Sequence, residues 1–386
     1  MSATALDRAR ADVPLRPGRV VFCATGISGT HGGIASANRN VVKALRRLAA
    51  EKARDMHTYV LHEDLGGDET YRGFGGGKAA FAFAAWRGAA GAGLAVFDHV
   101  RLALPILALP KPARGPVVIC AHGSESWRRV RRSSIAAFRA ADLVLANSAY
   151  TLTRMQERFN AFNGAACPLG LPPHFALNPS PPPRAQAHVS LRAANGAECK
   201  LGPRVMLTVA RMDAGEQEKG HRELIAALPS VLAHLPTAQL VFVGGGSDAA
   251  ALRQLAAASP AAAHICFAGQ VADADLDEFY RAAYAYVMPS RQEGFGLAYL
   301  EAMNHALPCV ACRDDGGADV VVEGETGLLV SQPIEQEQLV STLIRILSDE
   351  AMAREMGVAG WRRLNAHFSA EAHQARVLAL VAPLLR

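Results

Sequence analysis

The sequence predicts an α/β protein of two doubly wound domains, each with a parallel sheet that helices cover on both faces. Three observations lead to this class. The chain has 386 residues, about the length of two domains. β-type runs alternate with Ala- and Leu-rich helical stretches between residues 19 and 146, as in a parallel sheet with helical crossovers. A proline-rich break follows, and the alternation then restarts.

The first half opens with a strand, a glycine-rich loop over 26–33 and a helix over 34–52. Ile34, Val41, Leu45 and Leu48 recur on one side of that helix, which is the pattern of an amphipathic helix against a core. The strands expected in this half are 19–24, 56–61, 95–97, 117–121 and 143–146.

A break separates the two halves. Six prolines lie between residues 171 and 183, and the stretch 178–183 excludes a helix or an inner strand because proline lacks an N–H donor. The strands expected after it are 205–210, 239–243, 264–268, 285–288 and 309–311. We therefore predict domains over 1–190 and 191–366, with a C-terminal helix over 367–386 that returns to the first domain. Sheets of this kind bind ligands beyond the carboxyl ends of their strands, so two domains facing each other across a cleft would share a site.

Composition narrows the class of protein. The formal net charge of +5 permits anionic partners and does not indicate nucleic-acid binding. The first 17 residues lack an apolar segment, and the most apolar stretch, 94–109, contains Asp98, His99 and Arg101 and is too short to span a bilayer. Seven scattered cysteines predict buried free thiols rather than a disulfide framework, and the C-x-x-C at Cys309 and Cys312 has no second pair. A soluble, cytoplasmic protein is expected.

The strongest motif is the segment Glu293-Gly-Phe-Gly-Leu-Ala-Tyr-Leu-Glu301. It follows the predicted strand 285–288, and its glycines precede a helix that starts near Leu297. The first N–H groups of a helix have no partner within it and lie at the positive end of its dipole, so they suit a phosphate. A carboxylate on either side would bind hydroxyl groups, and a nucleotide sugar offers hydroxyls on both sides of a diphosphate. The alternative is a charge that stabilises the helix start, plus a solvated Glu301.

Two cations belong to the same half. Arg211 directly follows the strand 205–210, and Lys219 comes just before a helix over 222–235. At one edge of a sheet such a pair would neutralise a diphosphate, Arg through its planar fork and Lys as a point charge. Two solvated surface cations are the alternative.

Glycines and one histidine mark further strand ends. Gly244-Gly-Gly246 follows the strand 239–243, but Ala249 stands where a dinucleotide fingerprint needs its third glycine. Gly32-Gly33 and Gly316-Gly317 would allow backbone amides to meet a phosphate or an acceptor, and tight turns are the alternative for both pairs. His122 ends the strand 117–121 and places an imidazole at the carboxyl edge of the first sheet.

The sequence predicts neither a metal nor a cofactor beyond a nucleotide-sugar co-substrate. The acidic run Asp273-Ala-Asp275-Leu-Asp277 is better explained as a helix start, with Asp273 or Asp275 near the N-cap, than as a metal site. No zinc-ligand pattern or Ser-His-Asp pattern accompanies it.

Together these residues resemble family 4 of the retaining glycosyltransferases, which have two Rossmann-like domains in the GT-B arrangement. The resemblance runs from Gly32-Gly33 to Phe368-Ser369 and is densest over 205–330. It rests on two Glu separated by seven residues, with the cations and glycine pairs in the expected order along the chain. One departure follows Gly316-Gly317, where Ala318-Asp319 replaces the frequent Pro-Glu.

The resemblance implies that the first domain binds the acceptor and the second binds the nucleotide sugar. It assigns Glu293 to the hydroxyls of the donor sugar and Glu301 to the ribose. Arg211 and Lys219 would hold the diphosphate, and His122 would lie near the reacting sugar. The other donor-binding residues that it implies are Gly33, Gly244, Gly245, Gly294, Phe295, Gly296 and Leu297.

The segment His122-Gly-Ser-Glu-Ser-Trp127 is similar to an element of bacterial mannosyltransferases that act in polysaccharide assembly. This likeness favours GDP-mannose as the donor, with a UDP-sugar as the alternative. The acceptor it implies is a saccharide, in particular one linked to polyprenyl diphosphate at the inner face of the cell membrane.

A basic run follows that segment and has a helix-compatible pattern. Its cations are Arg128, Arg129, Arg131 and Arg132, and its apolar members are Trp127, Val130, Ile135 and Phe138. A basic residue near an anionic membrane contributes about 1 kcal/mol, so the run suggests a peripheral contact with such a surface. A solvated basic face is the alternative.

The resemblance implies hexosyl transfer with retention. No metal is expected in this reaction, because two cations and a helix N-terminus would meet the charge on the leaving diphosphate. Two other interpretations stay open. A nucleotide-sugar epimerase of similar fold would bind the donor and need no acceptor. A non-catalytic nucleotide-sugar-binding protein would keep the fold without the chemistry, although the presence of Glu293, Glu301, Arg211 and Lys219 argues against it.

Overall fold

The computed structural model describes residues 18–28, 32–68, 70–128, 130–183, 185, 191–215, 217–272 and 274–386. The chain divides into two compact units, Met1–Pro173 with Ala370–Arg386 (unit 1) and His174–Ser369 (unit 2). This division falls inside the proline-rich segment 171–183, where the sequence predicts a break. The predicted boundaries after residues 190 and 366 stay predictions, and the first lies beside residues 186–190, outside the described residues.

Unit 1 contains a sheet and helices from both ends of the chain. Its strands are β1 (Val20–Ala24), β2 (Met56–Val60), β3 (Gly66–Gly67), β4 (Tyr71–Gly73), β5 (Leu94–Phe97), β6 (Val117–Ala121), β7 (Leu143–Ala146) and β8 (Gly164–Ala166). Its helices are α1 (Gly33–Glu51), α2 (Lys78–Ala89), α3 (Val100–Ala103), α4 (Arg132–Ala140), α5 (Ala149–Arg158) and the last helix of the chain, α13 (Ala370–Val381).

Unit 2 repeats the alternation. Its strands are β9 (Leu191–Arg192), β10 (Glu198–Cys199), β11 (Arg204–Val209), β12 (Ala238–Val243), β13 (Ile265–Gly269), β14 (Ala285–Val287), β15 (Cys309–Cys312) and β16 (Gly327–Val330). Its helices are α6 (His221–Leu232), α7 (Ala249–Ala257), α8 (Leu276–Ala282), α9 (Leu297–Asn304), α10 (Gly317–Val320), α11 (Gln336–Ser348) and α12 (Glu350–His367).

The sheet of unit 1 has the strand order β3-β4-β2-β1-β5-β6-β7-β8, and every pair except β3–β4 is parallel. Alternate residues of β1 pack on opposite faces, because Val21 lies in one apolar cluster with Phe81 of α2. Phe22 lies in the other cluster with Val377 of α13. Helices therefore cover both faces of this sheet, as its apolar strands require.

The larger sheet of unit 2 has the order β13-β12-β11-β14-β15-β16 with parallel pairs throughout. This is the 3-2-1-4-5-6 order of the Rossmann fold, in which ligands bind where the order reverses. Here the reversal lies between β11 and β14, so a ligand is expected at the loops that follow these two strands. The predicted class, α/β with two doubly wound units, is confirmed.

Every strand predicted from the sequence is confirmed to within one residue at either end. The helix predicted over 222–235 ends earlier, at Leu232. Six strands were not predicted from the sequence: β3, β4, β8, β9, β10 and β16. The first five of these have two or three residues, too few to show an apolar pattern. Within the described ranges, no helix combines the length and hydropathy of a membrane span.

One expectation about the cysteines is wrong, because Cys199 and Cys266 form a disulfide. The antiparallel pair β9–β10 lies against β13, where Ala193 bridges Cys266, and this contact brings together positions 67 residues apart. Local sequence around either cysteine does not indicate such a contact. The remaining cysteines are buried free thiols, as predicted: Cys23, Cys120, Cys167, Cys309 and Cys312.

Candidate active site

The loop after β14 forms the start of α9 as the sequence predicts. Gly296 occupies the N-cap position with φ +89°, and no side chain caps the helix. A side chain at this position would meet the Tyr299 ring and would be strained by the positive φ. The N–H groups of the first turn therefore lack a side-chain cap, and they lie at the positive end of the helix dipole.

Lys219 lies against this loop. Its Nζ is 2.5 Å from Oε2 of Glu293, and the two side chains are only 22% and 14% exposed. The backbone N–H of Arg291 donates to the Glu218 carbonyl at 2.5 Å, so the loop before α6 is joined to the loop after β14. The structure thus brings together two of the predicted site residues, which are 74 positions apart in the chain.

Arg211 lies on the loop after β11, at the carboxyl edge where the sequence places it. Its side chain is 65% exposed, and its guanidinium is 3.7 Å from the Asp213 carboxylate. The glycines after β12 close on the same loop, since the Met212 N–H donates to the Gly245 carbonyl at 2.9 Å. Close packing against Ala210 explains why position 244 is glycine, because a Cβ there would collide with the Ala210 carbonyl.

Glu301 is oriented by a residue that the sequence analysis missed. The phenol of Tyr280 donates to Oε2 of Glu301 at 2.6 Å, and Tyr280 is fully buried. Burial, and then the Glu301 carboxylate, raise the pKa of Tyr280 well above its ordinary value, so the phenol stays protonated and donates. The ring stacks on His305 at a centroid distance of 5.0 Å, which fixes its position.

The glycine pair after β15 touches the loop after β14 directly. The Gly316 N–H donates to the Glu293 carbonyl at 2.8 Å, and a Cβ at Gly316 would collide with the backbone of Gly294. Asp315, which the sequence analysis also missed, lies between the two loops and is 1% exposed. Burial, and then the Glu293 charge, raise its pKa to about 7.

Phe295 and Leu297 complete the segment between the two glutamates. Phe295 is 1% exposed, and its ring packs edge-on against Phe368 at a centroid distance of 5.8 Å. Its side chain is therefore part of the core, and a donor role would fall to its backbone amide. Leu297 is the first residue of α9, and its predicted role also concerns its amide.

His122 directly follows β6 in unit 1, as predicted. Its Nε2 is 2.8 Å from the carbonyl oxygen of Asp98, and a carbonyl only accepts, so Nε2 carries the hydrogen. Its own carbonyl accepts from Nδ2 of Asn147 at 2.5 Å, and its N–H donates to Glu125 at 2.6 Å. The backbone and ring of His122 are thus both held.

Asp98 joins three strand ends of unit 1 and was missed as a site residue. It follows β5 and is fully buried. Its Oδ2 accepts from Oγ of Thr25 at 2.6 Å and from Nδ2 of Asn38 at 2.6 Å. Burial raises its pKa. Its position directly after a strand is the one signal in the sequence that could have indicated it.

Gly33 begins α1, with Gly32 at the N-cap and φ +125°. Residues 29–31 of the preceding loop lie outside the described residues, so the predicted approach of Gly33 to a phosphate or acceptor stays a prediction.

The apolar part of the basic run is not a surface feature. Trp127 is 6% exposed and Phe138 is fully buried. Both side chains are therefore part of the core, and the predicted contact of the arginines with an anionic membrane stays a prediction. Arg129 lies outside the described residues, while Arg128 and Arg132 are exposed.

The acidic run near 275 begins a helix. Asp275 is at the N-cap of α8, as predicted, although its side chain makes no capping hydrogen bond. Asp273 lies outside the described residues. Within the part of the chain that the structure describes, no three His, Cys, Asp or Glu side chains cluster as a metal site would require.

A family model described as "Glycosyl transferases group 1" matches residues 196–363, which include β11–β16 and the whole candidate site of unit 2. This match covers less than half of the chain. The predicted relationship to family 4 glycosyltransferases is confirmed by this match and by the curated relatives below.

Two relatives are mycobacterial enzymes named GDP-mannose-dependent alpha-(1-6)-phosphatidylinositol monomannoside mannosyltransferase. The protein of Mycobacterium tuberculosis is 32% identical over 227 residues, 57% of this chain and 56% of the relative. That of Mycolicibacterium smegmatis is 30% identical over 257 residues, 63% of this chain and 64% of the relative. The matches thus span less than two thirds of either relative.

Solved structures share the fold over nearly the whole chain. Sucrose-phosphate synthase from Thermosynechococcus elongatus has a TM-score of 0.70 at 21% identity, covering 95% of this chain and 99% of that one. Anabaena Alr3699/HepE in complex with UDP and glucose has a TM-score of 0.69 at 17% identity, covering 95% and 100%. The predicted GT-B fold is confirmed by these likenesses.

Proposed function

We propose that this chain is a glycosyltransferase that moves a hexosyl group from a nucleotide sugar to an acceptor. One observation carries the proposal: the Lys219 ammonium lies 2.5 Å from the Glu293 carboxylate, on the loop that leads into the uncapped start of α9. A cation, a carboxylate and a helix dipole thereby meet beside the point where the strand order reverses, which is where such sheets bind ligands. The match of residues 196–363 to a glycosyltransferase family model supports the same conclusion.

In this proposal the diphosphate lies against the backbone amides of the segment 294–297. Its charge meets Lys219, Arg211 and the positive end of the α9 dipole. A bound diphosphate would compete for the ammonium that pairs with Glu293, and Glu293 would then turn to the sugar hydroxyls. Glu301, held by Tyr280, would accept from the ribose hydroxyls. These groups meet the charge of the leaving diphosphate, so we propose a metal-independent reaction.

The donor proposed is GDP-mannose, with a UDP-sugar as the alternative. Two relatives at about 30% identity are named GDP-mannose-dependent mannosyltransferases, and the segment 122–127 resembles an element of bacterial mannosyltransferases. Retention of anomeric configuration is proposed from the same family relationship. His122, with its ring held by Asp98, would lie near the reacting sugar.

The acceptor proposed is a saccharide or a lipid-linked saccharide, and polyprenyl diphosphate is the lipid we favour. The mycobacterial relatives are named for a glycolipid acceptor, which supports a lipid-linked one. With such an acceptor, we propose that the protein works at the inner face of the cell membrane through a peripheral contact with anionic lipid. Unit 1 has an exposed apolar surface on α2 that would suit this contact.

A panel of nucleotides tests the donor. GDP, UDP and ADP, each alone and as the mannose or glucose conjugate, are added to the protein in a thermal-shift assay. GDP and GDP-mannose should raise the melting temperature most, because GDP-mannose is the proposed donor. A ligand at 100 times its Kd stabilises the folded state by about 2.7 kcal/mol. A flat response to the whole panel would contradict the proposal.

Incubation with the bound nucleotide sugar then separates the candidate activities. A glycosyltransferase should release nucleoside diphosphate at a rate that increases with a saccharide acceptor. Conversion of the donor into another nucleotide sugar without an acceptor would identify an epimerase instead. Binding without any turnover, across a range of acceptors, would favour a non-catalytic protein.

A further inference from the structure

The loop after β15 contains a buried carboxylate that contacts the proposed donor loop. Asp315 is 1% exposed. Its Oδ2 accepts from Oγ of Ser290 at 2.8 Å and from the backbone N–H of Glu293 at 3.3 Å. Its Oδ1 accepts from the N–H of Gly317 at 2.8 Å. One side chain thus joins the residues that follow β14 to those that follow β15.

The contact holds the backbone of Glu293 on both sides. Its N–H donates to the Asp315 carboxylate, and its carbonyl accepts from the N–H of Gly316 at 2.8 Å. Gly316 packs so closely on Gly294 that a Cβ would collide with it. The peptide units on either side of the Glu293 side chain therefore depend on the loop 314–317 for their position.

We propose that Asp315 is a positioning residue, which sets the Glu293 carboxylate against Lys219 and aligns the amides of 294–297 for the donor diphosphate. The inference rests on the proposed function of that loop and adds a residue to it. Asp315 itself touches no substrate in this proposal, because it is buried behind the loop.

A carboxylate is energetically unfavourable at this buried position, so its presence indicates a role other than stabilising the fold. Glu293 faces Asp315 from the loop after β14, and Tyr299 of α9 and Cys312 of β15 lie close enough to be affected by its charge. Burial and the Glu293 charge both oppose ionisation, while three donors favour it. A neutral amide would avoid the buried charge but would place a donor against the N–H of either Glu293 or Gly317.

The pKa of Asp315 determines how pH should affect both folding stability and donor use. Asp315 has a folded-state pKa of about 7 against an ordinary value of 3.8, so its ionisation opposes folding as pH rises through that interval. The ionised form is nevertheless the one that accepts all three hydrogen bonds. Donor use should therefore improve between pH 6 and pH 8, while this group's contribution to stability declines.

The test compares Asp315→Asn with Asp314→Asn. Asp314 is the adjacent residue, is exposed, and carries the same charge, so its variant controls for the loss of a charge from this loop. For each variant, kcat and KM for the donor are measured from pH 6 to pH 9, with melting temperatures in parallel. Hydrogen exchange of the segment 290–297 is measured without donor, and this reports on the loop whether or not the protein is active.

Asp315→Asn should lower kcat/KM at pH 8 by roughly tenfold, about the effect of losing one hydrogen bond to a charged group. Its rate should lack the rise between pH 6 and pH 8 that the unmodified protein shows. Amide exchange over 290–297 should be faster, while the melting temperature at pH 8 should not fall. Asp314→Asn should match the unmodified protein in all four measurements.

Equal exchange and equal kcat/KM in the two variants would overturn the inference. Faster exchange with unchanged kcat/KM would also overturn it, because the loop would then be held for stability alone. Failure of the unmodified protein to bind or use any nucleotide sugar would instead reject the proposed function. If Asp315→Asn does not fold, Ser290→Ala removes one partner of the carboxylate and should show the same changes to a smaller degree.

Discussion

Lys219 shows how much a single residue depends on its partner across the fold. A solvated lysine before a helix would be an ordinary surface cation, and its contribution to stability would be small. The structure instead pairs it with Glu293 at 2.5 Å, with most of both side chains shielded from solvent. Arg211 differs, because its guanidinium is largely exposed and lies 3.7 Å from Asp213. The two cations predicted to act together therefore have different environments in the described structure.

Lys219→Ala and Arg211→Ala should each lower turnover by about 10²–10³-fold, the usual loss when one donor to a developing negative charge is removed. Lys200→Ala, at an exposed lysine of the same unit, is the matched control and should retain full activity. Steady-state kinetics with saturating donor, together with circular dichroism melts, make the comparison. Unchanged turnover in both cation variants would count against this site.

At the scale of elements, the site depends on strand ends rather than on any one motif. The loops after β14 and β15 and the turn before α6 meet at Glu293, and short backbone contacts join them. Glycine at position 316 allows the closest of these approaches, since any side chain would collide with Gly294. The glycine pairs thus have a packing role here, and their predicted contacts with phosphate stay predictions.

Helix α2 has an exposed face that the rest of unit 1 does not cover. It buries Phe81 and Ala85, whereas Phe83 and Trp86 are 59% and 37% exposed and stack at a centroid distance of 6.1 Å. Leu107, on the 3-10 turn Leu104–Ala108 that contacts this helix, is 43% exposed. We call Phe83, Trp86 and Leu107 the α2 patch. Basic residues in the surrounding segments are Lys78, Arg87, Arg101 and Lys111.

The α2 patch should contact anionic lipid if the proposed membrane association is correct. Aromatic rings favour the membrane interface, and nearby cations favour anionic headgroups. The double variant Phe83→Ser, Trp86→Ser should co-sediment less with vesicles that contain phosphatidylglycerol, and neither protein should sediment with pure phosphatidylcholine. Leu255→Ser, at an exposed apolar residue of unit 2, is the control. No sedimentation of the unmodified protein with anionic vesicles would reject the contact.

At the scale of the molecule, each unit has its own core, and the last helix of the chain belongs to the first unit. Val377 and Val381 of α13 are buried in the cluster that contains Val20 and Phe22. Deleting α13 would expose that face of the sheet, so this helix is part of the core of unit 1.

The whole reaction should proceed without a divalent metal. In the proposed mechanism, Lys219, Arg211 and the N-terminal end of α9 together supply the positive charge that the leaving diphosphate needs. Exhaustive treatment with EDTA should therefore leave turnover unchanged in a donor and acceptor assay. Loss of activity that Mg²⁺ or Mn²⁺ restores would contradict the metal-independent mechanism, while the assignment of the donor-binding loops would stand.

Local sequence patterns were sufficient to predict the strands and the helix that position the candidate site. Apolar runs of four to six residues placed β1, β6, β11 and β15, because a strand covered on both faces must be apolar along its length. The glycines before Leu297 predicted the turn into α9, since glycine readily adopts the positive φ of +89° found at Gly296. These features depend on neighbouring residues in the chain, so the printed sequence contains them.

Contacts between segments that are distant in the chain could not be predicted from local sequence patterns. The Cys199–Cys266 disulfide, the phenol of Tyr280 on Glu301, and the carboxylates of Asp98 and Asp315 between strand ends all join residues more than 20 positions apart. Burial of the Trp127 and Phe138 rings could not be predicted from the basic run in which they occur. Strand order determines which chain segments meet, and strand order arises from packing of the whole sheet rather than from any local pattern.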